Sequence, residues 1–145
     1  MLKINEIYAS IQGESSHTGL PCVFIRLTGC NLRCSWCDTA YAFYEGNDLT
    51  IEETLQKVET FGLGLVEITG GEPLLQEDVY PLMEALLKKG YRVMLETGGA
   101  LPIDKVPEKV IKILDVKCPG SGEEKKNHLE NLKLLSPHDE VKFVL

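Results

Sequence analysis

The 145-residue chain is 43% hydrophobic and 26% charged, ordinary globular proportions with enough length for one domain around its own core. No apolar run approaches a membrane span, and the opening MLKINEIYAS lacks the hydrophobic stretch of a signal peptide, so no membrane partner and a cytoplasmic location are expected. The net charge of −7 argues against nucleic-acid binding through a broad basic surface, and leaves room for a small anion in a local basic pocket.

In chain order, residues 21–28, PCVFIRLT, read as a strand whose continuous apolar run (Val23, Phe24, Ile25) suits burial on both faces. A cysteine-rich loop and a polar stretch follow. Thr50 and Glu53 stand at capping-box spacing, and Ile51, Leu55 and Val58 follow Thr50 at helical intervals in a helix ended by Gly62 and Gly64. LVEIT (65–69) is a strand closed by two glycines. Residues 75–89 predict a helix, with Lys88 and Lys89 in its last turn and Gly90 behind it. YRVMLET (91–97) is a strand, 104–112 a short helix, ILDVK (113–117) a strand, 125–135 a helix and EVKFVL (140–145) a strand. Strands alternating with crossovers of this length define an α/β fold with a parallel sheet. With no repeat or linker, residues 1–145 are expected to form one domain. The chain stops inside an apolar strand, which suggests a fragment of a longer polypeptide. The polar groups gather just after successive strands, at the carboxyl edge where parallel sheets bind ligands.

The segment TGCNLRCSWCDTAY (28–41) places Cys30, Cys34 and Cys37 within eight residues. The full count of five cysteines is odd, which fits metal or redox chemistry in a reducing compartment better than a disulfide framework. A structural zinc site closes with four ligands, and Cys22, Cys118, His17, His128 and His138 offer no second pair at ligand spacing. Three cysteines on a 4Fe–4S cluster would leave one iron open to an external ligand.

Cys-x3-Cys-x2-Cys followed by ITGGEP (68–73) at the end of the next strand resembles the radical S-adenosylmethionine (SAM) enzymes. Three further stretches, IYASIQGESSHTGLPCVFIRL (7–27), CDT (37–39) and DVKCPGSG (115–122), make the chain similar to the 7-carboxy-7-deazaguanine synthase family, over residues 4–145. The resemblance implies a partial, open TIM-like β/α barrel lacking its C-terminal part. It implies an enzyme of the route to queuosine and other deazapurines, a lyase that converts 6-carboxy-5,6,7,8-tetrahydropterin to 7-carboxy-7-deazaguanine with loss of ammonia. The implied cofactors are a 4Fe–4S cluster, SAM and Mg2+. A flavodoxin- or ferredoxin-like electron donor and a homodimer are implied as well, with neither nucleic acid nor membrane as a partner.

Carried over by motif, Cys30, Cys34 and Cys37 are the implied cluster ligands. Trp36, Cys37 and Asp38, Gly71, and Lys117, Cys118 and Pro119 are the implied cofactor contacts. Thr39 would ligate Mg2+ through its hydroxyl, a hard donor suited to that ion. Ile11, Gln12, Gly13, Glu14, Arg26 and Thr69 would contact the substrate, and a guanidinium matches a carboxylate in a bidentate fork. Bland alternatives stand beside these. Arg26, a charge in an apolar strand, demands an anion or a partner carboxylate. Thr39 could cap a helix, Gln12-Gly13 could be a plain turn, Glu96-Thr97 could only shape theirs, and Lys117 could be a surface charge. Two competing functions remain, an activating enzyme for a glycyl-radical protein and a non-catalytic zinc or iron–sulfur module.

Overall fold

A computed structural model describes residues 1–145. Seven strands form one sheet: β1 (Leu2–Ile11), β2 (Pro21–Leu27), β3 (Asn47–Leu49), β4 (Leu65–Gly70), β5 (Arg92–Thr97), β6 (Ile111–Asp115) and β7 (Glu140–Lys142). Two helices, α1 (Ile51–Glu59) and α2 (Val79–Lys88), accompany it. The strand order is β3-β1-β2-β4-β5-β6-β7, with β3 and β7 as free edges, so the barrel is open. From β2 to β7 every pairing is parallel. β1, a strand outside the expected parallel set, pairs antiparallel with both β2 and β3.

The segment that forms β1 is assigned no element by its pattern, because Asn5 and Glu6 interrupt its apolar residues and only Leu2 and Ile4 are buried. Its partner supplies the order: a hairpin with β2 runs from Ile4 opposite Leu27 to Ile11 opposite Pro21, with one irregularity between Ile4 and Glu6.

The expected helix over 104–112 is absent. Pro107 cannot donate a helical hydrogen bond, and the segment makes separate tight turns, Val106 N to Ile103 O and Val110 N to Pro107 O, before β6 starts at Ile111. The expected helix over 125–135 is also absent, replaced by 3₁₀ segments at Glu124–Lys126 and Leu129–Leu134. Asparagine side chains impose this by bonding backbone in distant loops. Asn127 receives Lys117 N and donates to Lys117 O, while Asn131 receives Ile103 N and donates to Leu101 O. The helix expected from residue 75 starts at Val79, behind a 3₁₀ turn at Pro73–Leu75. The last strand ends at Lys142 rather than continuing to 145.

The two faces of the sheet differ. One packs Val23, Ile25, Val66, Ile68, Val93 and Leu95 against Leu55 and Val58 of α1 and Leu82, Met83 and Leu86 of α2. The other carries a thinner apolar layer of Cys22, Phe24, Leu65, Met94 and Ile113. Because side chains alternate along a strand, the next residues on that face toward the carboxyl ends are Arg26, Glu67, Glu96 and Asp115. An apolar floor with a charged layer above it is a binding face. Neither helix is long and apolar enough to cross a membrane.

The capping box of α1 forms as the sequence predicts: Glu53 N donates to Thr50 Oγ1 at 3.1 Å and Thr50 N donates to Glu53 Oε2 at 2.8 Å. Thr50→Ala is expected to lower stability by about 1 kcal/mol, read as a shifted denaturant midpoint at unchanged slope.

Candidate functional site

A cleft of about 270 Å³ opens over the charged layer. Gly29 at φ 98° turns the chain out of β2, and the cysteine loop lies directly against the turn after β4. Gly71 N donates to Leu27 O at 3.2 Å and Glu72 N to Gly29 O at 2.7 Å. A Cβ on Gly71 would fall 2.1 Å from Gly29 O and 2.8 Å from Cys30 Cβ, and one on Gly70 would fall 2.2 Å from Leu27 O. Only glycines let the two loops meet. Glu72 fixes the turn from beneath: fully buried, it receives Leu74 N, Thr97 Oγ1 and Gly98 N at 2.7–3.0 Å.

Cys30, Cys34 and Cys37 all line the cleft, and all five cysteines are free thiols. Burial raises the Cys30 and Cys34 pKa values, an effect that a coordinated metal reverses. No three of the His, Cys, Asp and Glu side chains converge at the spacing of a single metal ion.

Trp36, Asp38 and Thr39 line the same cleft. The Thr39 hydroxyl makes no capping bond to the 3₁₀ turn it precedes and donates instead to Asp38 Oδ1 at 2.7 Å. Lys117 is no surface charge. Its Nζ donates to Asp115 Oδ2 at 2.7 Å and lies 5.0 Å from the centre of the Trp36 ring, while the other Asp115 oxygen, Oδ1, is buried without a partner.

Arg26 has the carboxylate partner that its strand position demanded. Its Nε donates to Glu6 Oε1 at 2.8 Å and its terminal NH2 group to Tyr8 Oη at 3.1 Å, and Tyr41 Oη donates to the same Glu6 oxygen. Gln12 is buried, and its loop is closed by Gln12 N to Leu20 O and Gly19 N to Gln12 O. Glu14 and Glu96 both accept from Lys142 Nζ. Burial opposes the charge on Lys142, but Glu96 and Glu14 outweigh it and raise its pKa. Gly13, Thr69 and Gly71 complete the set of predicted residues on the cleft. Ile11, Cys118 and Pro119 lie outside its lining: Ile11 pairs with Pro21 at the end of the hairpin, and Pro119 opens a 3₁₀ turn.

Several cleft residues escape sequence reasoning. Glu67, Asp115 and Lys142 are the clearest. The available signal is a charge inside an apolar strand, LVEIT and ILDVK, where an unsolvated charge is costly without a purpose. Glu67 is pushed up to about 7, first by burial and then by Glu96. Cys22 on the floor is pushed up to about 12 by burial and by Glu67, which keeps it an inert thiol.

Comparison with known proteins places the chain. Residues 24–119 match the family model described as the Radical SAM superfamily, and the chain belongs to that superfamily. The chain is 55% identical to the 7-carboxy-7-deazaguanine synthase of Koribacter versatilis, covering 99% of this chain and 65% of that protein. The synthase of Chlorobaculum tepidum is 48% identical, over 92% of this chain and 60% of its own length. That of Thermoplasma acidophilum is 38% identical, over 98% and 69%. Within the superfamily, the chain belongs to the 7-carboxy-7-deazaguanine synthase family. It spans less than two thirds of the length of the first two relatives. The crystal structure of QueE from Escherichia coli shares the fold, with a TM-score of 0.70 at 22% identity, covering 99% of this chain and 84% of that one.

Proposed function

We propose that the chain forms a single radical SAM domain and converts 6-carboxy-5,6,7,8-tetrahydropterin to 7-carboxy-7-deazaguanine with release of ammonia. The observation that carries this reading is that one cleft collects the three free thiols, the double-glycine turn pressed against them and the polar set of Gln12, Glu14, Arg26, Thr69 and Lys142.

The donor set fits a cluster. Three thiols from one loop suit a 4Fe–4S cube with one open iron, whereas a structural zinc ion needs a fourth protein ligand, for which the remaining cysteines and histidines offer no second pair at ligand spacing. Cys30, Cys34 and Cys37 hold the cluster in this reading. Trp36, Cys37, Asp38, Gly71, Lys117, Cys118 and Pro119 hold SAM. When bound, cluster and cofactor supply one-electron cleavage of a carbon–sulfur bond and an adenosyl radical. The chain's own residues bind and orient. Gly71 keeps the cofactor turn against the cysteine loop. Lys117, neutralised by Asp115, presents a donor over Trp36. Thr39 offers a hydroxyl oxygen for Mg2+, with Asp38 beside it. Ile11, Gln12, Gly13, Glu14, Arg26 and Thr69 receive the substrate. An external flavodoxin- or ferredoxin-like donor, a homodimer and a cytoplasmic location complete the proposal, and the net charge of −7 supports the absence of nucleic acid.

The test is product analysis. Anaerobically reconstituted, dithionite-reduced protein is given SAM, the pterin and Mg2+, and the products are read by mass spectrometry. Formation of a carboxy-deazaguanine that depends on Mg2+ is expected. Release of 5′-deoxyadenosine alone would retain the radical chemistry and reject the substrate. Tight stoichiometric zinc with neither product would reject both.

A further inference from the structure

Most charged side chains that line the cleft are paired, and the buried ones that are not stand out. Arg26 is paired with Glu6, Lys117 with Asp115, and Lys142 with both Glu14 and Glu96. Two buried acids have no cation. One, Glu72, receives hydrogen bonds from three neighbouring residues. The other, Glu67, is 4% exposed and stands in the middle of β4 over the apolar floor. Its cross-strand partners there are Phe24 on β2 and Met94 on β5.

The groups that face Glu67 explain its state. Glu96 on β5 and Glu14 in the β1–β2 loop bring negative charge, Lys142 on β7 is already shared between those two, and Cys22 on β2 is an un-ionised thiol. Arg26 on β2 is committed to Glu6. The Gln12 amide, which lies 3.7 Å from Met94 Sδ and 3.9 Å from Cys22 Sγ, faces Glu67 as a donor and, like Lys142, favours the ionised form, but burial and the Glu96 carboxylate outweigh them. Three ionised carboxylates around one ammonium, over an apolar floor, would leave uncompensated charge in a poorly solvated place.

We propose that Glu67 is a proton-holding ligand-binding residue of this cleft, an un-ionised acid that supplies the ligand with a hydrogen-bond donor beside the two acceptors Glu14 and Glu96. A donor next to acceptors matches the edge of a lactam-type heterocycle, which carries an N–H group beside a carbonyl. Loss of the proton converts the donor into a third acceptor and sets repulsion against the ligand's carbonyl. The direction agrees with the raised affinity of Glu67 for its proton, which reaches about 7. The inference rests on the pterin reading of the cleft, since a pterin carries such an edge.

The test compares wild type with Glu67→Gln, which keeps an N–H donor that cannot ionise. In wild type, KM for the pterin is expected to rise about tenfold per pH unit above about 7, with a smaller change in kcat. In Glu67→Gln that limb is expected to vanish. A KM that climbs on the same slope in both proteins, or stays flat in both, overturns the proposal.

A second measurement does not depend on activity. The unfolded chain releases the Glu67 proton near 4.5 and the folded chain near about 7. Between those values the folded state binds more protons, so stability falls as pH rises, and the loss is complete above about 7. Against Glu67→Gln, the unfolding constant of wild type is expected to rise about tenfold per pH unit across that window. A difference independent of pH, or of opposite sign, overturns the proposal. If wild type forms no product, the pterin reading fails, and the unfolding comparison still decides whether Glu67 holds a proton.

Discussion

Cys34→Ala is expected to remove iron from the protein and to abolish SAM cleavage while the fold survives. The Cys34 thiol lies in a loop, half-buried, and makes no hydrogen bond that the fold relies on. Its loss should therefore change stability by less than about 1 kcal/mol. The consequence for the cluster is of another order, because two thiolates cannot replace three around a four-iron cube. Loss of even an outer partner of a metal ligand costs about 10–100-fold, so loss of a ligand should exceed about 100-fold in turnover. Iron and sulfide content and visible absorbance give the first reading, and 5′-deoxyadenosine release gives the second. Cys22→Ala is the counterpart. Cys22 is fully buried in the floor and lies outside the cleft's lining, so its truncation should lower stability and leave the iron content intact. A Cys34→Ala protein that retained iron and turned over would remove the thiol from the cluster-binding set.

Gly71→Ala is expected to force the two loops of the cleft apart. Its Cβ would meet Gly29 O at 2.1 Å and Gly29 C at 2.6 Å, both backbone atoms that cannot rotate aside. The loops must part, and the hydrogen bonds from Gly71 N to Leu27 O and Glu72 N to Gly29 O weaken with them. Overpacking costs about 1–3 kcal/mol and each lost hydrogen bond about 1 kcal/mol, so a loss of about 3 kcal/mol is expected on denaturation. SAM affinity, read by calorimetry, should fall with it. Gly64→Ala provides the contrast. Nothing lies within 4 Å of its added Cβ and its φ is ordinary, so stability should stay level or rise by about 0.5 kcal/mol. Equal stabilities for the two variants would show that the loops do not press together as described.

Much of this site is legible in the sequence because its parts are local. The three cysteines and the glycine turn are contiguous motifs, and each follows a strand whose apolar run announces it: β2 before Cys30, and β4 before Gly71. The capping box of α1 is a four-residue device and forms as written. What escapes the sequence is set by partners far away in the chain. β1 is ordered by β2 and β3 rather than by its own pattern. The segment from Glu124 to Leu134 has the spacing of a helix but is pinned by Asn127 and Asn131 to backbone elsewhere. Arg26 advertises a missing anion, yet nothing in the strand itself says that Glu6, twenty residues earlier, supplies it. Glu67 and Asp115 stand out in the sequence only as charges inside apolar strands, and the sheet is needed to show that both face the cleft.

The contacts of Lys142 carry a consequence for how the cleft comes into being. Lys142 reaches Glu14 across 128 positions, and Glu140 receives Ser16 across 124. These are among the most distant contacts the chain can make, and long closures are the slow part of assembly. The β1–β2 hairpin, local and early, holds Gln12 and Glu14 in a loop that gains its far anchor only when β7 docks beside β6. During synthesis, which runs from the N-terminus, the cysteine loop and glycine turn can meet well before the polar end of the cleft is assembled. A ribosome-bound chain halted before residue 140 should thus present the thiols on a formed turn and lack the Glu14–Lys142–Glu96 clamp, so that the two ends of one pocket mature at different times.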